Sequence, residues 1–486
     1  MIDAQPTRPQ QIRHVAVIGG GVSGLAAAHR LTELAPEIQF TLLEASERLG
    51  GALETIRREG FLIEGGADNF ITTAPWALDL CRRIDFSEQL IQTNSNCRHA
   101  FVIRRGKLRP IPDGFVVMAP NKIWPIMTTS ILSPFGKLRL ACERFVRAGE
   151  IRDESVASFC RRRLGRETYE RLVQPLIGGI YTGDPEKLSL RATMPRFAEM
   201  EEKHGSLSRA MSNARTPDDS SSGARYSLFV APRDGMTSMV DAIAARLPAG
   251  SIQLNTKVAE LAHTSSGWRV ATADGEAFEY DAVILATPAS VTARLVADTD
   301  RRLARELDGI HHTSCSIISL GFRRDQVAHP LDGFGVVAPH IENRSILSVS
   351  FSSLKYAGRA PDGSVLIRVF IGGGCQPELA DLADDQLLDL ATRELGELLG
   401  VRGAPQLTHV SRPGAVMPQY YVGHRDRVER IRERAGQLAG LFLAGNAFVG
   451  VGVPHCIHMG EQAAEHVVET LRGGAPRDAS RNALSP

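Results

Sequence analysis

The chain has 486 residues, 43% of them hydrophobic, and its 56 Lys plus Arg against 55 Asp plus Glu leave a net charge of +1. Near-balanced charge argues against a general nucleic-acid-binding surface while leaving room for a local basic patch, and the length implies more than one domain with substantial cores. Seven scattered cysteines without a Cys-x-x-Cys pair argue against a disulfide framework or a zinc site, and no apolar run reaches the ~18–20 residues of a spanning helix.

The polar, Pro-containing residues 1–11 and the Pro- and Arg-containing residues 475–486 read as disordered tails, and the first of them lacks the apolar core of a secretory signal. Free thiols and no signal point to the cytoplasm. Residues 14–18, HVAVI, read as a buried parallel strand. Gly19, Gly21 and Gly24 follow in G-x-G-x-x-G spacing, and the Ala- and Leu-rich stretch from Leu25 reads as a helix. In a strand–turn–helix context the first glycine permits the turn. The second admits a pyrophosphate against backbone, and the third lets helix pack on strand. Gly20, Val22 and Ser23 complete this loop, and the helix N-terminus supplies N–H groups and partial positive charge for phosphate. Residues 38–43 read as a second strand ended by Glu44, twenty positions after Gly24, where a carboxylate accepts from a ribose diol.

Beyond Glu44 and Ala45 come Arg48, Gly50 and Gly51, then EGGADNF with Gly66, Ala67, Asp68 and Asn69. Residues 135–149, FGKLRLACERFVRAG, read as a basic amphipathic helix with Phe135, Leu138, Cys142, Phe145 and Val146 on one side. An ordinary surface helix and a contact with an anionic membrane surface both fit that pattern. The Ser-rich stretch 211–225 reads as a mobile loop. Residues 255–290 read as short alternating strands turning at Asp274–Gly275, then a buried strand over 282–286 ending at Ala286. Near the C-terminus a strand, glycines and an Ala-rich helix recur over 440–468, with Gly445, Asn446, Val451, Gly452 and Val453 at the turn. His455 and His458 stand three residues apart without an acidic or Cys partner, so no metal site is expected.

Both ends resemble the flavin-containing amine-oxidase superfamily. Three further stretches, VQPLIGGIYTGDPEKLSLRATMPRF (173–197), APRDGMTSMVDAIAARL (231–247) and MPQYYVGHRDRV (417–428), resemble its protoporphyrinogen/coproporphyrinogen oxidases. The resemblance implies an α/β fold: a Rossmann-like FAD-binding domain with a mixed-sheet substrate domain and a helical insertion. The FAD domain would span 12–85, 225–295 and 436–474. The substrate domain would span 86–110 and 296–435, and the helical, membrane-contacting candidate 111–224. It implies non-covalent FAD, with Arg48 at the pyrophosphate, the backbones of Gly50, Gly51, Gly66 and Ala67 near the flavin, Val258 at adenine, and Asn446 near the ribityl chain. The helix starting near Val451–Val453 would face the flavin's pyrimidine edge.

The implied activity belongs to heme biosynthesis: porphyrinogen dehydrogenation with O2 as acceptor and H2O2 as product. Gly178 and Gly179 would shape the substrate wall, or break a helix. Asp68 and Asn69 would face ring nitrogens, or cap a turn. His455 would tune the flavin, or cap the last helix. Relatives that place an Arg in the hairpin 97–112 would have it at Ala100, two residues after Arg98. This leaves Arg98, Arg104 and Lys107 as candidate propionate anchors and the choice of macrocycle open. An amine or polyene (carotenoid) oxidase and a non-catalytic escort protein on the same scaffold stay as alternatives.

Overall fold

Strand His14–Ile18 is buried from its second residue on, and it is the middle strand of a five-stranded parallel sheet. The computed structural model describes residues 13–95, 99–120, 122–150, 152–213 and 228–473. The expected tails, Arg98 and residues 214–225 of the Ser-rich stretch lie outside the described residues. In order, the sheet runs Ile252–Gln253, Gln39–Leu43, His14–Ile18, Ala282–Leu285 and Leu441–Leu443, with Val15 opposite both Phe40 and Ala282. Strand alternation explains the unbroken apolar run. Val15 and Val17 pack under helices Val22–Leu34, Met236–Ala244 and Val453–Leu471. Ala16 and Ile18 pack on the other face with Trp268, Val270 and helices Ala289–Val296, Arg301–Asp308 and His424–Gly436. Burial on both faces is what a parallel sheet requires.

A second, seven-stranded sheet runs Leu407–Ser411, Cys315–Arg323, Ser364–Gly372, Ser348–Ser350, Gly333–Val337, His99–Arg104 and Lys107–Pro110. Its pairs are antiparallel except Gly333–Val337 with His99–Arg104, and helix Asp384–Leu399 covers its core face through Leu387, Ala391 and Leu395. A third core, centred on Met118, Phe159, Leu172 and Leu207, holds the helices of residues 123–213 together. Among the described residues no helix is long and apolar enough to cross a membrane.

Three local expectations change. The second strand starts at Gln39 rather than residue 38. Residues 135–149 are not one helix: Pro134–Ala141, capped by the Ser133 hydroxyl, gives way to a 3-10 turn at Cys142–Phe145. Gly178 and Gly179 do not break a helix, since both lie inside Gln174–Tyr181.

Candidate functional site

The glycine loop leaves the middle strand with backbone in place of side chains. Gly19 sits at φ +109°, and a Cβ there would stand 2.7 Å from the Ala286 carbonyl oxygen. A Cβ on Gly24 would stand 1.9 Å from the Gly19 carbonyl oxygen, so helix Val22–Leu34 comes this close to its strand only without a side chain. At Gly21 a Cβ would meet open space, which leaves room for a ligand at the helix start. Gly21 caps that helix without any side-chain bond, and no acidic residue stands in its first turn. Gly50 N–H donates to the Gly20 carbonyl (2.9 Å), so the loop that carries Gly50 and Gly51 closes against the glycine turn.

Glu44 ends strand Gln39–Leu43 half-buried. Its carboxylate accepts from the Gly20 N–H (2.6 Å), the Ser46 N–H (2.9 Å) and the Ser46 hydroxyl (2.7 Å). It therefore braces the glycine loop, and exposed Ala45 lies beside it. The backbone from Asn255 runs past it, with Thr256 N–H donating to the Glu44 carbonyl (2.8 Å), and leads to half-buried Val258. Arg48 turns its guanidinium onto its own loop, donating to the carbonyls of Gly51 (2.8 Å), Leu53 (3.1 Å) and Leu49 (3.2 Å).

The C-terminal motif reaches the same sheet. Ala444 N–H donates to the Leu285 carbonyl (2.9 Å), Gly445 turns the chain at φ +122°, and helix Val453–Leu471 starts from Gly452 with no side-chain cap and no acid in its first turn. Half-buried Val451 precedes it. Asn446 donates to the Val416 carbonyl (2.9 Å), and the buried Tyr420 hydroxyl donates to the Asn446 carbonyl. Tyr420 stacks on His424 at 4.1 Å, whose ring burial pushes down to about 4, so the stacked pair is neutral. A Cβ on Gly460 would stand 2.1 Å from the Ser23 carbonyl oxygen, so the two motif helices touch backbone to backbone. The only sequence signal for this contact is a glycine within an Ala-rich helix.

Two uncapped helix N-termini, an open space at Gly21 and a carboxylate at the second strand's end fit FAD: anionic in the middle, a ribose diol at one end, a flat ring at the other. Gly19, Gly20, Gly21, Val22, Ser23, Gly24, Glu44, Val258 and Gly445 through Val453 are the residues that would hold it.

His455 does not cap the last helix. Its ring meets Trp76 edge-on at 5.2 Å, while His458 stacks on the same indole at 4.1 Å; burial holds both imidazoles below their ordinary range. Trp76 lies far away in sequence, so spacing gave no sign of this pairing. Among the described residues no group of His, Cys, Asp or Glu could hold a metal.

Asp68 and Asn69 do not stand free. Asn69 donates to Asp68, and Asp68 pairs with Lys355 (3.1 Å) and Arg368 (3.5 Å). Burial pushes the Asp68 carboxyl up, but Lys355 and Arg368 outweigh it and hold the group below its usual range. Behind it Glu64 is 2% exposed and accepts from the Thr55 hydroxyl (2.9 Å) and the Met236 N–H (3.0 Å). Burial pushes Glu64 up to about 7, against these donors, Arg368 and Arg359.

Helix Gln174–Tyr181 follows a π-helical turn at Tyr169–Val173, a distortion often found at functional sites. A Cβ on buried Gly178 would meet Leu347 at 3.2 Å, and one on exposed Gly179 would meet Val337 at 3.6 Å. The helix therefore lies on the seven-stranded sheet, with Ile180 39% exposed. Gln419 fixes its end, donating to the Tyr181 carbonyl (3.2 Å) and the Thr313 hydroxyl (2.9 Å). In the hairpin His99–Pro110, Arg104 is half-buried and Arg105 and Lys107 are exposed.

The helical insertion turns its expected apolar side outward. Phe135, Leu138 and Phe145 are 84%, 62% and 78% exposed, beside Trp124 at 77%. The inward side is held instead by Leu140 and by Glu143, which pairs with fully buried Arg163 and accepts from Ser206 (2.7 Å) and the N–H of Leu207 (2.9 Å).

Residues 22–468 match the family described as flavin containing amine oxidoreductase. A coproporphyrinogen III oxidase of Propionibacterium freudenreichii is 35% identical over 510 aligned positions, covering 97% of this chain and 94% of that protein. Protoporphyrinogen oxidase 2, chloroplastic/mitochondrial, of Arabidopsis thaliana is 29% identical, covering 94% of each chain. A crystal structure from Exiguobacterium sp. 255-15 superposes with a TM-score of 0.85 at 30% identity, covering 95% of this chain and 99% of that one.

Proposed function

The chain belongs to the flavin-containing amine oxidoreductase family, and from that premise we propose that it is an FAD-dependent oxidase of porphyrinogens in heme biosynthesis, acting on coproporphyrinogen III as well as protoporphyrinogen IX. The observation that carries this reading is the 35% identity, over 97% of the chain, to a coproporphyrinogen III oxidase, because it runs through the cradle and the seven-stranded sheet alike. Bound FAD supplies a two-electron acceptor that O2 reoxidises to give H2O2. Each cycle removes a hydride from an sp3 meso carbon and a proton from elsewhere in the macrocycle, so that each meso carbon finally loses one hydrogen and half of the ring nitrogens lose theirs, and the growing conjugation favours the step. The chain's own task is to hold the macrocycle flat against the cofactor and keep water out.

The assignments that follow from this reading are residue by residue. Glu44 receives the ribose, Val258 the adenine, and the backbones of Gly66, Ala67 and Gly445–Val453 the flavin. No Cys stands in Gly445–Phe448, so the cofactor is held without a covalent bond, and acid precipitation should release the yellow colour into the supernatant. Gly178 and Gly179 form part of the substrate wall, and the hairpin cations Arg98, Arg104 and Lys107 receive carboxylates. Residues 12–85, 225–295 and 436–474 make up the FAD domain, 86–110 and 296–435 the substrate domain, and 111–224 the helical insertion.

The outward side chains Trp124, Phe135, Leu138 and Phe145, with exposed Arg144 and Arg147 among them, suit contact with an anionic membrane surface. The proposed place of the enzyme is therefore the cytoplasm, at the inner face of the membrane.

Anaerobic mixing tests the function. The flavin band near ~450 nm should bleach with either porphyrinogen and stay unchanged with a primary amine or a polyene. Bleaching by the amine alone would move the amine-oxidase reading into first place.

A further inference from the structure

The loop after strand Phe61–Glu64 is gripped from two sides. On one side, a Cβ on Gly66 would stand 1.9 Å from the Ala52 carbonyl oxygen, so the loop lies backbone on backbone against the cradle. On the other side, the seven-stranded sheet reaches across. Arg368, in strand Ser364–Gly372 and 1% exposed, donates through Nη2 to the Gly66 carbonyl, and its Nη1 lies 3.5 Å from Asp68. Lys355, at the end of the short helix Ser352–Lys355, brings its ammonium to both Asp68 oxygens, at 3.1 and 3.3 Å. Arg359, 2% exposed, ties the same seam to the carbonyls of Pro232 (2.7 Å) and Arg233 (2.6 Å).

Burying these charges is costly, and a lone partner left behind would cost more. Packing alone would have been served by apolar residues. Here one carboxylate, two residues after Gly66, compensates two cations, Arg368 on the other sheet and Lys355 on the short helix that precedes its strand, and Arg368 also holds the Gly66 carbonyl. The fixed element is thus the backbone that the flavin approaches.

We propose that Asp68, Lys355 and Arg368 form an ion-paired latch that ties the cofactor loop to the substrate sheet and so positions the Gly66–Ala67 backbone for FAD. These are positioning residues, acting through the loop. The inference rests on FAD occupying the cradle.

The test uses the holoenzyme. Dilution series followed by the fluorescence of released FAD give its dissociation constant, and thermal melts are run in parallel. Lys355→Met should raise the FAD dissociation constant at least five-fold, and Lys355→Arg should return it to within two-fold of the starting protein. Asp68→Asn should raise it by at least as much, and the double variant should be no weaker than Asp68→Asn alone, because both changes break one device. Because Asp68→Asn leaves two cations unpaired and can fail to fold, the Lys355 pair by itself also decides the matter. An unchanged dissociation constant in Lys355→Met, with only the melting temperature lowered, would overturn the latch. So would additive losses in the double variant. A starting protein that binds no FAD at all would instead refute the cofactor reading on which the latch depends.

Discussion

The cradle and the helical insertion are both built from amphipathic segments, yet they point their apolar residues in opposite directions. Helix Val22–Leu34 buries Leu25, Ala26, Ala27, Ala28 and Leu31 completely. Helix Pro134–Ala141 and the turn after it leave Phe135, Leu138 and Phe145 in solvent and bury Glu143 instead, through Arg163. The difference teaches that periodicity finds two faces but does not say which is inside. In the cradle the glycines decide it, because backbone contacts at Gly24 and Gly460 leave only one way to pack. In the insertion a buried ion pair decides it.

The sharpest way to break the contrast is to add one methyl group to the cradle. Gly24→Ala places a Cβ where the Gly19 carbonyl oxygen lies. Overpacking of this kind costs ~1–3 kcal/mol or more, and purified protein should come out with little or no bound flavin, read as visible absorbance per chain. Full flavin content would mean that the helix can slide away from its strand.

Next in size is Glu44→Ala. A hydrogen bond to a charged group is worth ~1.5–3 kcal/mol, so FAD affinity should fall by ~10- to 100-fold at fixed temperature. An unchanged dissociation constant would remove Glu44 from the cofactor site and leave it only the Gly20 and Ser46 contacts.

Glu64 gives a pH-dependent comparison between the cradle's edge and the substrate sheet. Its carboxyl ordinarily titrates at 4.5 and is pushed up by burial to about 7, with Thr55, Met236 N–H, Arg359 and Arg368 around it. A raised carboxyl means that the folded state holds its proton more tightly. Its contribution is therefore complete below pH 4.5 and is lost as pH rises towards 7. Glu64→Gln mimics the protonated form. It should match the parent at pH 5 and be more stable by about 1–3 kcal/mol at pH 8, as read from denaturant midpoints. Equal stabilities at both pH values would show that the group is not strained by burial.

The smallest effect on stability should come from the insertion. Phe135→Ser, Leu138→Ser and Phe145→Ser remove exposed side chains, so each should shift stability by no more than ~0.5 kcal/mol. Binding to vesicles containing anionic lipid should nevertheless fall clearly in the triple variant. Unfolding of the triple variant would mean that this face is packed, and undiminished vesicle binding would remove it from the membrane contact.

The cradle was legible because its signals are local. Strand, glycine spacing, helix and Glu44 follow within a few dozen residues, and the C-terminal motif repeats the same order. The rest depends on pairs far apart in the chain. Asp68 and Lys355 are separated by 287 positions, and Glu143 meets Arg163 only after the helices fold back. The stack of His458 on Trp76 is equally remote, and it is why His455 packs against an indole where a helix cap was one expectation. Gly178 and Gly179 looked able to break a helix by composition, but the packing of Gln174–Tyr181 on Leu347 and Val337 overrides that propensity.

The most direct measurement is porphyrin fluorescence from the FAD-loaded protein in air, with coproporphyrinogen III and protoporphyrinogen IX supplied side by side. The account predicts enzyme-dependent emission from coproporphyrin III, with peroxide formed alongside, and emission from protoporphyrin IX as well. Emission no faster than spontaneous oxidation for both substrates, in protein that carries flavin, would contradict it.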